Sequence, residues 1–363
     1  MANLISPEIS VVFYEKGATA ITRGERGTVA LALKDSAQTG GPVFDILTAA
    51  DIPSGLTTAN KGFVLDALKG YQTAPKKVIV YVMTTGDNVT LSDAYDAMMA
   101  YFETHHFDWM AIPTVATDEM TSTIATWIKG LRSNADMTCK AVLPNSASDS
   151  EAIVNVTSSL YDAAGTAVSA EKTTPRIAGL LAGTPLTISA TYAPLLDYAD
   201  CTRLTKAEAD AAVTAGKFVY KFDGEKVKVC RAVNSFTTTT ADKGDSFKKI
   251  KVVEIMDLIH DDVKSTIEDG YVGKYANSYD NKCLLVTAIN AYFAELVRSG
   301  LLASGTAEIN LPAQKNYLES KGIDTSEMTD QEIKEANTDT HVFLLANISI
   351  LDAMEDVSLE IYI

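Results

Sequence analysis

The sequence predicts an α/β domain built on a doubly wound, mainly parallel sheet, followed by a smaller α+β domain. Three observations carry this reading. From Lys77 onward, short apolar runs alternate with amphipathic helical stretches, the pattern of stacked β-α-β units. After a polar loop at Thr237–Thr240 the texture changes to longer helices with an apolar residue every three or four positions. The 363 residues are 47% hydrophobic and 21% charged, enough apolar material for real cores, and the length suggests about two or three domains.

In chain order, "EISVVFYE" (Glu8–Glu15) alternates with Ile9, Val11 and Phe13 on one face, the period of a half-buried strand. "KGATAITRGERG" (Lys16–Gly27), with three glycines and few large apolar groups, reads as a linker. "TVALALK" (Thr28–Lys34) is a buried strand, and "KGFVLDALKG" a short helix ended by Gly70. Then come strand "KVIVYVM", helix "LSDAYDAMMAYFE", strand "FDWMAIP", helix "EMTSTIATWIKGLR" and strand "TCKAVLP", continued by strand "AIVNVTSSL" and the apolar segment "PRIAGLLAGTP".

"TKAE" (Thr205–Glu208) is a capping box, in which a threonine hydroxyl and a glutamate three residues on each satisfy a free N–H of the first turn. Gly216 ends that helix. "KFVYKF-DG-EKVKVCRAV" is a hairpin around Asp223-Gly224, a pair suited to a type I′ turn. Past the threonine run, Val252, Met256, Ile259, Val263 and Ile267 mark one face of a helix stopped by Gly270. Leu285, Ile289, Tyr292 and Leu296 mark a second. A polar, helix-prone stretch reaches Asn337, and "HVFLLANISIL" and "DVSLEIYI" face each other across "DAMED" as a terminal hairpin.

Charge and motifs limit the function. With 31 basic and 47 acidic residues the net charge is −16, which disfavours non-specific binding to nucleic acid or an anionic membrane. No apolar run is long enough to span a bilayer, and "MANLISPEIS" lacks the regions of a signal peptide. Cys139, Cys201, Cys230 and Cys283 are widely spaced and read as reduced thiols of a cytoplasmic protein, so the sequons at Asn88, Asn155 and Asn347 carry no meaning. No glycine-rich phosphate loop follows any strand, and no G-x-S-x-G elbow occurs. His105 and His106 end a helix, His260 lies in another, His341 opens a strand, and none has a second ligand at metal spacing. Asp261–Asp262 read as a solvated helix face. These residues predict no catalytic site, cofactor or metal.

The run Leu204–Phe236 resembles the corresponding stretch of contractile-tail sheath proteins, where a helix, a glycine, a hairpin and an R-A/T strand precede a loop and a long helix. "FKKIKVVEIMDLIHDDV" resembles that helix, "FVLDALKG…KKVIVYVM" the entry into the central domain, and "VSLEIYI" the closing strand. The likeness runs from about Pro7 to the end. It departs in having Lys248-Lys249 where the family has arginines, and in a segment from Thr28 to Ala74 too short for an extra β-domain, which makes a compact member.

The resemblance implies a central domain of subtilisin-like topology without protease activity. It implies a division into an N-terminal arm (1–27), a central domain (28–240), a tube-facing α+β domain (241–351) and a C-terminal arm (352–363). It implies that the terminal strands, through Ile9, Val11, Phe13 and Tyr14 at one end and Val357, Leu359, Ile361 and Ile363 at the other, add to sheets of neighbouring subunits. Lys248, Lys249 and Lys251 become candidates for contact with an inner tube.

The implied protein is a structural sheath subunit. It polymerises with itself as stacked rings around an inner tail tube protein, meets baseplate and tail terminator proteins, and contracts to drive the tube through a cell envelope. Assembly in the bacterial cytoplasm would precede its place in a virion tail or a released headless particle. Nucleic acid and membrane insertion have no part in this reading. Two alternatives stand beside it: a hydrolase-like enzyme on the doubly wound fold, and a non-contractile oligomeric module with swapped terminal strands.

Overall fold

The computed structural model describes residues 19–21, 26–38, 41–86 and 88–363. Two compact units divide the chain. The larger runs to Asp261 and takes in Ser299–Leu301 and Ile350–Ile363; the smaller holds Asp262–Arg298 and Leu302–Ser349. The loop expected to separate domains and the observed division fall on either side of the first half of one long helix.

The larger unit is built on seven strands: β1 (Thr28–Lys34), β2 (Val43–Ile46), β3 (Lys77–Met83), β4 (Trp109–Ala111), β5 (Lys140–Pro144), β6 (Ile153–Val156) and β10 (Lys217–Phe218), in the order β10-β6-β5-β4-β1-β3-β2. All pairs are parallel except β2 with β3. Helices cover both faces. Val29, Leu31 and Leu33 of β1 join a core with α1 (Thr58–Leu68) and α4 (Ala170–Ala182). Ala30 and Ala32 point the other way, toward α2 (Leu91–Phe102) and α3 (Thr121–Asn134), where Tyr95, Met98 and Phe102 fill the space those small residues leave. Both sides of β1 are dry, which is why "TVALALK" reads as continuous apolar sequence.

α4 contains the segment "PRIAGLLAGTP" only in part, and Thr173 to Leu181 are buried without a break. Pro175 stands inside this helix, and a proline there reads as a helix breaker, so the sequence pattern does not mark the segment as helical. Gly179 lets it approach α1 closely, because a Cβ there would lie 1.9 Å from the carbonyl oxygen of Ala67. α5 (Lys206–Thr214) has the expected capping box, with Thr205 N–H donating to Glu208 at 2.8 Å, and Gly216 follows at φ +67°.

The stretch "KFVYKF" splits. Lys217–Phe218 extends the parallel sheet, while β11 (Tyr220–Phe222) pairs with β12 (Val227–Val229) around Gly224, at φ +104°, in the expected hairpin. A small antiparallel sheet joins β7 (Leu160–Tyr161) to β8 (Ala167–Val168) and β9 (Asp200–Cys201). The expected linker Lys16–Gly27 lies largely outside the described residues, but Ile21 and Arg26 are packed rather than free, and Gly27 N–H is bonded to Asp108.

α6 (Ile250–Gly270) differs from expectation in its buried face. Val252 is buried, but Met256, Ile259, Val263 and Ile267 are only half-buried, while Glu254, Asp257 and Asp262 are buried. The reason is that this helix meets cations as well as apolar groups. Asp261 and Asp262, read as a solvated face, are engaged: Asp261 by Thr138 and Arg26, and Asp262 by the Tyr292 hydroxyl at 2.6 Å.

In the smaller unit α7 (Tyr279–Arg298) buries Leu285, Ile289, Tyr292 and Leu296 as expected, against β13 (Leu302–Ile309). α8 (Leu311–Ser320) and α9 (Asp330–Glu335) account for the helix-prone stretch. β14 (Leu344–Ile350) pairs with β13, not with the chain end, so the expected terminal hairpin does not form and His341 precedes the strand. Val357–Ile363 adopts no regular structure.

Candidate functional site: two moorings and an uncovered ribbon

Three features stand apart from an ordinary closed core. The first is a buried charge network at the amino ends of β1, β4 and β5. One oxygen of Asp108 accepts the N–H groups of Gly27 and Thr28, both at 2.8 Å, and the other lies 3.3 Å from Arg26 and 3.7 Å from His106. The Arg26 guanidinium reaches Asp261 at 3.3 Å and Glu254 at 3.9 Å. Lys140, 1% exposed, holds its ammonium 2.6 Å from Asp257 and 2.7 Å from Glu254, and Arg132 grips Asp257 with two hydrogen bonds of 2.7 and 3.0 Å.

Burial would raise the Asp257 carboxyl, but the charge of Lys140 and the Arg132 bonds outweigh it and hold the group down at about 2. Asp108 is likewise held well below the carboxylate range: burial opposes ionisation, and His106, Arg26 and Lys140 overcome it. An ammonium enclosed by carboxylates is a tie rather than a nucleophile. It fastens α6 to the sheet, at the point where Arg26 fixes the start of β1.

The second feature is a mooring of the C-terminal segment. Lys249 pairs with Asp352. Arg231 bonds Glu355 through Nε at 2.9 Å and Asp356 through Nη2. Glu355 also accepts the Ser189 hydroxyl at 2.8 Å and the Thr191 hydroxyl at 2.6 Å. One residue beyond Asp356 the chain is bare: Val357 is 83% and Ile361 76% exposed, with Leu359, Tyr362 and Ile363 equally open.

The third is the β13–β14 ribbon. Most of β14 is exposed on both faces, including Leu345 and Ile348. Two strands alone are marginal in water and leave unpaired backbone groups along their outer edges.

Against this geometry the sequence-predicted residues fall as follows. Ile9, Val11, Phe13 and Tyr14 lie outside the described residues. Val357, Leu359, Ile361 and Ile363 are all exposed. Lys248 pairs with Asp245 at 2.8 Å, Lys249 serves the mooring, and Lys251 is buried with its ammonium 3.3 Å from the Thr187 carbonyl, where burial lowers its pKa.

Among the described residues no group of three His, Cys, Asp or Glu side chains could hold a metal. His105 stacks on Tyr101 with ring centroids 3.8 Å apart, and His260 lies 2.9 Å from Asp136. The four cysteines are free thiols. Sequence reading missed Arg26, Asp108, Lys140 and Asp257, and also Arg231 and Glu355. The available signal was Lys140 inside the apolar strand "TCKAVLP", since a charge in a buried strand requires a buried partner.

Two family profiles match the chain: the phage tail sheath protein central domain over residues 87–235, and the phage tail sheath C-terminal domain over residues 242–363. The chain is 38% identical to the tail sheath protein of Clostridium phage phiCD119, over 99% of each. Among solved structures it is similar to the sheath tail protein of Desulfitobacterium hafniense, with a TM-score of 0.69 at 20% identity over 83% of this chain and 94% of that one. It is also similar to the helical sheath of the anti-feeding prophage in its contracted state, with a TM-score of 0.69 at 13% identity over 98% of each chain.

Proposed function

The chain belongs to the phage tail sheath protein family, and from that premise we propose that it polymerises around an inner tube and contracts to drive that tube through a cell envelope. The observation that carries the family is the identity of 38% over 99% of both chains with a tail sheath protein. The protein is a structural subunit of a contractile tail. Its partners in this reading are further copies of itself, an inner tube protein, and baseplate and terminator proteins at the two ends. Assembly takes place in the bacterial cytoplasm, before incorporation into a virion tail or a released particle.

We further propose that the terminal strands of one subunit complete the β13–β14 ribbon of others. The support is chemical. The ribbon offers unpaired edges, and Val357–Ile363 offers an exposed segment of alternating sequence with no strand partner in its own chain among the described residues. Strand addition would supply main-chain hydrogen bonds and cover apolar side chains at once. Ile9, Val11, Phe13 and Tyr14 are proposed as the second donor.

The mainly parallel winding of the seven-stranded sheet is proposed as the subtilisin-like topology, used as a rigid body without catalysis. The four segments 1–27, 28–240, 241–351 and 352–363 are proposed as its arm, body, tube-facing part and second arm. Lys248 and Lys249 remain the proposed tube contacts, while Lys251 reaches a partner only if its contact with Thr187 opens. Contraction then draws on a metastable lattice of rigid bodies joined by strands, with no nucleotide step.

Electron microscopy of purified protein tests the function. Long hollow cylinders that shorten and widen in acid or mild denaturant without ATP are the expected result; monodisperse monomers or a nucleotide requirement would overturn it.

A further inference from the structure

Most of the C-terminal segment from Ile350 is as exposed as a free tail, yet Glu355 is half-buried, with only 11% of its side chain exposed. The site that receives it is built for a carboxylate. Thr191 Oγ1 accepts the N–H of Ala232 at 3.0 Å, and Ser189 Oγ accepts the N–H of Thr191 at 3.1 Å. Each hydroxyl thus accepts one backbone N–H and keeps its proton to donate; both lie within reach of Glu355 Oε1, Thr191 at 2.6 Å and Ser189 at 2.8 Å, and the Ser189 hydroxyl also lies 3.0 Å from Thr191 Oγ1. Arg231 closes the other side through Oε2 and extends to Asp356. Lys249 adds a tie to Asp352. Charge-assisted bonds to preoriented donors are stronger than neutral ones and need no rearrangement of the socket.

We propose that Glu355 is a positioning residue: its seat in the Ser189–Thr191–Arg231 socket clips the C-terminal arm to its own subunit, so that only the residues beyond Asp356 are free to reach another copy. This inference rests on the proposed strand exchange for its purpose, but the clip itself can be tested apart from it. Clipping fixes where the arm leaves the body. It cuts the conformational entropy lost when Val357–Ile363 pairs, because the root is already placed. It also sets the reach: with ~3.3 Å per extended residue, freeing Ile350–Asp356 would lengthen the arm by roughly 20 Å and blur the register of its pairing.

The test uses a glutamate-specific endoprotease on the full-length unpolymerised protein, since Glu355 and Glu360 lie on opposite sides of the proposed exit point. Rapid cleavage after Glu360 and slow cleavage after Glu355 are expected in the unaltered chain. In Arg231→Met, cleavage after Glu355 should accelerate roughly ten- to a hundredfold, the range for losing a charged hydrogen bond, with Glu360 unchanged. Ser189→Ala, which leaves the guanidinium in place, should give a smaller acceleration at Glu355 alone.

Equal cleavage at both sites in the unaltered chain, or no change at Glu355 in either variant, would overturn the clip. The assembled polymer separates this from strand exchange. Glu360 protected only after assembly supports exchange. Glu360 still cleaved in the polymer, with Glu355 protected throughout, would sink the exchange reading and leave the clip standing.

Discussion

Val80 in β3 and Ile348 in β14 are both β-branched residues in mid-strand, and the first is 0% exposed while the second is 39% exposed. The seven-stranded sheet finds all its partners within the chain: α1 and α4 on one face, α2 and α3 on the other. Among the described residues the β13–β14 ribbon has α7 against β13 and little else, and β14 leaves apolar side chains exposed on both faces. Equal strand chemistry with unequal cover separates the part of the molecule that is closed within its own chain from the part that the described residues leave uncovered. The exposed tail after Asp356 extends the same contrast, because its sequence alternates as a strand does and it has no strand partner among the described residues.

The most direct way to break the comparison is to remove the unpaired segment. Deleting 357–363 should leave a folded, soluble subunit, since none of its large side chains enters a core, and should abolish polymerisation. Sedimentation and negative-stain microscopy read both outcomes. Cylinders of normal length from the truncated chain would show that the tail is not what completes the ribbon.

The second prediction concerns the finished body. Lys140→Met leaves Asp257 and Glu254 without the ammonium between them, and stranding buried charge should cost about 3–5 kcal/mol in denaturant unfolding. The pH dependence follows from the same group. The Asp257 pKa falls from 3.8 to about 2 on folding, so its stabilisation is fully present above pH 4 and is lost as pH drops through about 2. The loss is about 2 kcal/mol over that window. Asp257→Asn should flatten this part of the acid unfolding profile, and an unchanged profile would remove the network from the stability of the body.

What could be read in advance follows from how local each signal is. "TVALALK", the α5 capping box and the Asp223-Gly224 hairpin are written within a few adjacent residues, and each forms where expected. α4 was illegible because Pro175 lies inside it, where proline signals the end of a helix. The face of α6 was misjudged because Glu254 and Asp257 are buried by Lys140 and Arg132, whose approach depends on the assembled sheet. The terminal hairpin was assigned the wrong partner: β14 took β13, and the end was left over. Alternation states that a segment wants a partner and does not name it. Glu355 had no sequence signal beyond being charged, and Arg231 had only its place in the R-A pair of the strand before the loop.

A third prediction sharpens how tightly the body is closed. Gly179→Ala places a methyl 1.9 Å from the Ala67 carbonyl, so α1 and α4 must move apart, at about 1–3 kcal/mol. The corresponding change at Gly224, where a Cβ meets nothing within 4 Å, should cost less and only through its φ of +104°. Thermal unfolding of the two variants compares them, and equal losses would mean that the α1–α4 contact is not a close-packed one.

The smallest effect on the isolated subunit is expected at Ile348→Thr. The side chain is 39% exposed and β14 keeps its backbone bonds to β13, so unfolding free energy should change by only about 0.5 kcal/mol. Threonine keeps the β-branch and the strand preference, which isolates the loss of apolar cover from any loss of strand. If neighbouring chains complete this ribbon, each added strand buries that position, and the lost apolar contact recurs at every subunit of the polymer. A penalty of about 1 kcal/mol per subunit, near that of one or two buried methylene groups, raises the critical concentration for assembly by about fivefold. Light-scattering titration of assembly measures that shift, and Val80→Thr serves as the counterpart, destabilising the subunit itself. A critical concentration unmoved by Ile348→Thr would mean that β14 stays bare in the polymer, and the uncovered ribbon would then need another occupant.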